Sequence, residues 1–161
     1  VVDIGIVALP IQADQIETTP LFTEELVLVM PAEHPLAHRR RLTLDDLASE
    51  PFVVLNEAHC LTGNILSFCA AQDMVPFVAA RSHQLLTVLE LVRLGQGLSL
   101  IPKMALRERT DKGLVCRSLS GDKPKRTVAL AWSKTRYQTQ LFKRFLRYCT
   151  AAGERLVQNQ H

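Results

Sequence analysis

Cys60 and Cys69 lie nine residues apart in a chain that holds four cysteines, and their types and spacing suggest thiol chemistry. Cys60 follows the polar run Asn56-Glu57-Ala58-His59 and leads into a helical pattern with Leu61, Ile65, Phe68 and Cys69 on one face. That puts Cys60 at or near a helix N-terminus, where backbone N–H groups and the helix dipole favour an anion, a thiolate included. Cys69 falls on the apolar stripe and is expected to be the less exposed of the two. If every step between them is helical, their Cα atoms are ~13.5 Å apart at ~1.5 Å per residue, against an upper limit of ~7 Å for a disulfide. A bond between them would need the helix to open, which suits a switch better than a staple. A plainer reading fits the same residues: Cys60 ends a loop and Cys69 is a small core residue.

The elements that must position these thiols are legible on both sides. Pro51-Phe52-Val53-Val54-Leu55 is an unbroken apolar run and reads as a buried strand directly before the cysteine helix. Upstream, Val2 to Val7 reads as a strand ended by Ala8-Leu9-Pro10. Ile16 to Leu21 reads as a short extended segment, and Glu25 to Met30 as a buried strand stopped by Pro31. Thr43 is the expected N-cap of a short helix through Leu47. Downstream, Pro76 to Ala80 is a strand, Ser82 caps a helix from His83 to Leu94, and Leu85, Val88, Leu89 and Val92 form its inner stripe. Gly95 ends that helix and Gly97 to Pro102 is a short strand. Leu114 to Leu119 and Thr127 to Trp132 are extended. A closing helix from about Thr139 to Val157 has Leu141, Phe145, Tyr148 and Cys149 as its expected buried side.

Strands alternating with helices over brief links imply an α/β fold with a parallel sheet and crossover helices. The order further implies two lobes. Residues 30–125 contain a complete alternating unit, lobe II, whereas residues 1–29 and 126–161 must supply lobe I together. A chain that leaves one lobe, builds another and returns has the topology of a hinged binder, with its ligand between the lobes near the carboxyl ends of the strands.

Composition narrows the classes. No apolar run approaches the ~20 residues of a membrane helix, and the four cysteines are too scattered for a disulfide framework. With no secretory signal read at its start, the chain is expected to be cytoplasmic, with no membrane partner. No Cys or His pair has the short ligand spacing of a zinc site, so neither metal nor cofactor is expected. Residues 1–80 hold three Lys or Arg against eleven Asp or Glu, and residues 81–161 hold sixteen against five. The basic half is spread through loops and an amphipathic helix with few aromatics, which reads as solvated faces rather than a nucleic-acid surface.

The segments DIGIV, LVLVMPAEHPLA, LTLDDLASEPFVVL, LLTVLELVRLGQGLSLIP and RTVALAWSK, in this order, resemble the effector-binding domain of LysR-type transcriptional regulators over nearly the whole chain. The resemblance implies a two-lobe periplasmic-binding-protein-like fold with a mixed, mainly parallel sheet in each lobe, the first lobe being N-terminally truncated. It also implies a sensor that binds a small effector in the inter-lobe cleft and acts on DNA only through a winged helix-turn-helix absent from these residues, as a homo-oligomer in the full-length protein. Carried over, the effector site is lined by Leu9 and Pro10, by His59, Cys60, Leu61 and Thr62, by Ser82 and His83, and by Leu98 and Ile101. Helix starts near Cys60 and Ser82 would offer N–H groups to a carboxylate.

Within that family, HCLTGNILSFC is similar to the cysteine pair of the OxyR-type peroxide sensors. By that likeness Cys60 would be oxidised to a sulfenic acid and Cys69 would condense with it as the resolving thiol, with peroxide as the stimulus. Those sensors carry an Arg-Asp pair where this chain has Thr62 and Gly63, so a cation beside the thiolate is lost. A third reading, a cysteine-dependent enzyme, needs a base for Cys60. His59 is its immediate neighbour, adjacent side chains on a turn rarely make such a contact, and no third orienting group is evident, so the chain is read as a non-enzyme.

Overall fold

The computed structural model describes residues 3–11, 13–56, 60–106, 113–135 and 137–158. Among these residues there are seven strands and three α-helices in the order β1 (Gly5–Ala8), β2 (Ile16–Pro31), β3 (Pro51–Leu55), α1 (Cys60–Ala70), β4 (Phe77–Ser82), α2 (Leu85–Arg93), β5 (Ser99–Pro102), β6 (Leu114–Arg117), β7 (Lys125–Ser133) and α3 (Gln140–Gln158). The chain divides into two compact units, Val1–Glu24 with Arg126–His161, and Glu25–Lys125.

In the second unit, β3 and β4 pair in parallel from Pro51 opposite Phe77 to Leu55 opposite Ser82, with a register shift between Phe52 and Val53. On its other side β3 meets Leu98 in a parallel bridge, with Leu98 N–H donating to Pro51 O at 2.7 Å and Val53 N–H to Leu98 O at 2.8 Å. The apolar run of β3 is buried from Phe52 to Leu55, as expected of a strand covered on both faces. Helix α1 makes the connection from β3 to β4 and buries Leu61, Thr62, Ile65 and Cys69. Helix α2 follows β4 and buries Val88, Leu89 and Val92. It ends with Gly95 at φ 75°, Gly95 N–H bonding Val92 O and Gln96 N–H bonding Leu91 O, a Schellman closure that glycine favours. Strands β5 and β6 both pair antiparallel to β2.

Five sequence expectations need correction. The parallel character expected of each sheet is confined, among the described pairings, to β3–β4 and the Leu98 bridge; β1–β7, β2–β5 and β2–β6 are antiparallel. Parallel strands need a long crossover, and β3-α1-β4-α2 supplies one. The extended segments Ile16 to Leu21 and Glu25 to Met30 are one strand of 16 residues. The turn Asp45–Leu47 is 3-10 and begins after Leu44, not Thr43; Thr43 instead donates its N–H and its hydroxyl to the Asp46 carboxylate at 2.9 and 3.0 Å. Helix α2 starts at Leu85, and Ser82 is the last residue of β4.

The fifth correction concerns α3. Leu141 and Tyr148 are 77% and 68% exposed, and Phe145 is half exposed. The inner face is instead Phe142, Leu146, Cys149 and Gly153. The helix carries two apolar stripes about 100° apart, at ~100° per residue, and packing selects one of them. Gly153 lets the helix backbone approach β2, since a Cβ there would lie 2.6 Å from Leu21 O. Phe142 meets Trp132 of β7 edge to face at 5.6 Å between centroids.

Candidate functional site

The carboxyl ends of β3 and β4 lie side by side, because Leu55 is in register with Ser82 and Asn56 N–H donates to Ser82 O at 2.9 Å. Both following helices therefore start from this one edge of the parallel pair. Cys60 is the first residue of α1 and is exposed. Ser82 Oγ accepts from Gln84 N–H at 3.2 Å, a local turn that aims the chain into α2, whose N-cap is Gln84. His83 projects from that turn, and Asn56 Nδ2 lies 3.1 Å from its Nε2 and 3.3 Å from its Nδ1. The pair joins the strand ends through side chains, with the donor and acceptor roles of the ring set by its tautomer.

Of the residues singled out in the sequence, the structure gathers Cys60, Ser82 and His83 at this edge. Leu61 and Thr62 are buried in the first turn of α1, with Thr62 Oγ1 donating to Leu55 O at 2.7 Å. Leu98 and Ile101 are core residues of the same unit, each 1% exposed. Leu9 and Pro10 belong to the other unit, joined by a cis peptide bond, with Leu9 N–H donating to Thr127 O at 2.8 Å. His59 lies outside the described residues, as do Glu57 and Ala58.

One residue of the edge was missed in the sequence, Asn56, which touches His83; Thr62 was named there, but not the bond by which its hydroxyl ties α1 to β3. A polar residue directly after an apolar strand was the available signal for Asn56. Nothing local marked Thr62, because its partner is a backbone carbonyl seven residues away.

The thiols differ in kind. Cys69 is fully buried, and burial pushes its thiol up to about 11, so it is protonated at neutral pH. All four cysteines are free, and burial also pushes the Cys116 thiol up. Cys116 lines a shallow cavity of about 290 Å³ with Glu25, Val27, Lys103, Leu106 and Ser118. A smaller cavity of about 140 Å³ lies at the opposite, amino edge of the parallel pair, between Pro31, His34, Glu50, Pro51, Gly95, Gly97 and Leu98. Among the described residues no group of three or more His, Cys, Asp or Glu could hold a metal ion. No helix among them is long and apolar enough to cross a membrane.

The chain as a whole resembles known proteins. The family model described as the LysR substrate binding domain matches residues 1–154. A hydrogen peroxide-inducible genes activator of Pectobacterium carotovorum subsp. carotovorum is 31% identical over 131 residues, which is 81% of this chain and 43% of that protein. The chain thus spans less than half the length of that curated relative. Among solved structures, the effector-binding domain of QuiR in complex with shikimate superposes with a TM-score of 0.82 at 25% identity, covering 95% of this chain and 72% of that one. Corynebacterium glutamicum OxyR, as a peroxide-bound cysteine mutant, gives 0.84 at 27% identity, covering 96% and 50%.

Proposed function

The chain belongs to the LysR substrate-binding domain family, and from that premise we propose that it is the sensing part of a cytoplasmic transcription regulator. It takes a small effector at the carboxyl edge of β3 and β4 and passes the event to a DNA-binding segment outside these 161 residues, within a homo-oligomer. The observation that carries this reading is the convergence of two strand ends and two helix starts around Asn56, Cys60, Ser82 and His83, with their polar atoms outside the core. Open α/β sheets bind ligands at this kind of edge. Backbone N–H groups at the helix starts suit an anionic effector.

Thermal unfolding with shikimate and a panel of small organic acids tests it, since a ligand of the folded state at 100-fold its Kd stabilises by ~2.7 kcal/mol. The expected result is a rise in Tm with at least one carboxylate that His83→Ala abolishes. A rise that survives His83→Ala would move the site away from this edge.

A second reading has its own observation: the exposed Cys60 and the buried Cys69 share one helix, and the named relatives include peroxide-responsive activators. Here hydrogen peroxide oxidises Cys60 to a sulfenic acid and Cys69 condenses with it, releasing water. Mass spectrometry after peroxide treatment should find a Cys60–Cys69 disulfide in the wild type and a Cys60 sulfenic acid in Cys69→Ala. An unmodified Cys60 in both would remove this reading. Because the relatives are regulators by name, the chain is read as a sensor rather than a catalyst.

A further inference from the structure

We propose that Thr62 is the latch of α1: the bond from its hydroxyl to Leu55 O sets how readily the first turn opens, and hence how readily Cys60 and Cys69 can meet. The consequence for the thiols rests on the redox reading above; the latch itself does not.

The two ends of α1 are held differently. At the Cys69 end the helix is closed by backbone, since Cys69 O accepts from Gln72 N–H at 3.0 Å and Met74 N–H at 2.9 Å. Asp73 makes the reversal at φ 55°, Met74 is buried, and Gln72 Nε2 donates to Asp122 Oδ2 at 3.0 Å. The Cys60 end is weaker by composition. Gly63 sits in the first turn with nothing within 4 Å of where a Cβ would be, so it adds backbone freedom and no packing. Among the described residues, Leu61 and Thr62 pack beneath this turn, and Thr62 is 1% exposed with its hydroxyl bonded to the strand end. Breaking the bond of a buried hydroxyl costs that hydrogen bond before water can replace it, so this bond opposes opening more strongly than a surface contact would.

Opening is what the thiols require. With Cys60 and Cys69 both inside an α-helix, their Cα atoms stay ~13.5 Å apart at ~1.5 Å per residue, beyond the ~7 Å a disulfide tolerates. Releasing the Cys60 end frees the exposed thiol to swing and opens the way to the buried Cys69 sulfur from that side. The step balances with peroxide as oxidant: the Cys60 thiol takes one oxygen and one water leaves; the Cys69 sulfur then attacks the Cys60 sulfur and a second water leaves.

The test labels each cysteine of the 161-residue chain with iodoacetamide under native conditions and resolves the sites by mass spectrometry. Thr62→Val keeps the shape and removes the hydroxyl, and should speed labelling of Cys69 by about tenfold. Thr62→Ser restores the hydroxyl and should return most of the protection. Cys149 of α3, in the other unit, should label as in the wild type. An unchanged Cys69 rate in Thr62→Val, or an equal acceleration at Cys149, overturns the latch. Should Thr62→Val not fold, hydrogen exchange of the wild type decides instead. Amides of Asn64 to Leu66 exchanging faster than those of Phe68 to Ala70 support opening from the Cys60 end, and the reverse order overturns it. With hydrogen peroxide, the disulfide should form faster in Thr62→Val by the same factor as the labelling. Equal rates in both proteins overturn the link between latch and thiols, whereas no disulfide in either rejects the redox reading and leaves the latch to its labelling result.

Discussion

The two edges of the parallel pair β3 and β4 are finished in opposite ways. At the amino edge the closure is made by backbone: Leu98 N–H reaches Pro51 O at 2.7 Å, and Gly97 packs so closely that a Cβ would lie 2.6 Å from the same oxygen. His34 completes it, with Nδ1 accepting from Leu36 N–H at 3.3 Å and Nε2 lying 3.4 Å from the Glu50 carboxylate. At the carboxyl edge the strand ends are joined by side chains, Asn56 with His83 and Thr62 with Leu55 O, and Cys60 and His83 stand exposed. An edge held chiefly by backbone has less freedom to respond to a ligand. One held by a few side-chain bonds opens at lower cost than one held by backbone, which fits the effector edge proposed above.

The largest effect is expected where the amino edge is tightest. Gly97 has φ 153°, and Pro51 O cannot retreat from an added methyl without losing its bond from Leu98 N–H. Gly97→Ala should therefore destabilise the chain by about 2–4 kcal/mol, read as a lower midpoint in urea. A variant that unfolds at the wild-type midpoint would break the distinction between the edges.

A smaller effect tests how firmly α1 keeps its far end in the core. The Cys69 thiol is pushed up to about 11 by burial, above its unfolded value. The folded state therefore holds this advantage in full below the unfolded value and loses it as pH rises toward about 11. Between neutrality and that pH the loss is on the order of 2 kcal/mol. Stability against pH should fall less steeply above pH ~9 in Cys69→Ala than in the wild type; parallel curves would mean that Cys69 is hydrated in the folded state.

These contrasts also mark what the residues alone disclosed. The buried strand before Cys60, the helix that starts there, the burial of Cys69 and the glycine stop at Gly95 were legible because each depends on a local pattern: an apolar run, a period of 3.6 or a residue that tolerates positive φ. The inner face of α3 was not, because Leu141-Phe145-Tyr148 and Phe142-Leu146-Cys149 are both apolar stripes and the choice is made by Leu21 and Trp132, far away in sequence. Pairing direction failed for the same reason: β1 with β7, and β2 with β5 and β6, are long-range partners that local alternation cannot orient. At the candidate site, the position of Cys60 at a helix start was legible from the residues, whereas Ser82 and His83 were named from family likeness. Thr62 was named from family likeness, but its bond to Leu55 O became visible only once strand and helix were docked.

The smallest expected change bears most directly on function. Gly63 is the counterpart of Gly97, a glycine in the other edge's helix with open space around its Cα. Gly63→Ala should stabilise the chain by about 0.5–1 kcal/mol, through helix propensity and a less free unfolded chain. If the carboxyl edge yields by releasing the first turn of α1, that gain falls on the segment that opens, and Cys69 should label several-fold more slowly, at roughly tenfold per 1.4 kcal/mol. A Gly63→Ala chain that is more stable in urea yet labels Cys69 at the wild-type rate would show the helix opening from its Cys69 end. The two edges would then differ in how they are built but not in which of them moves.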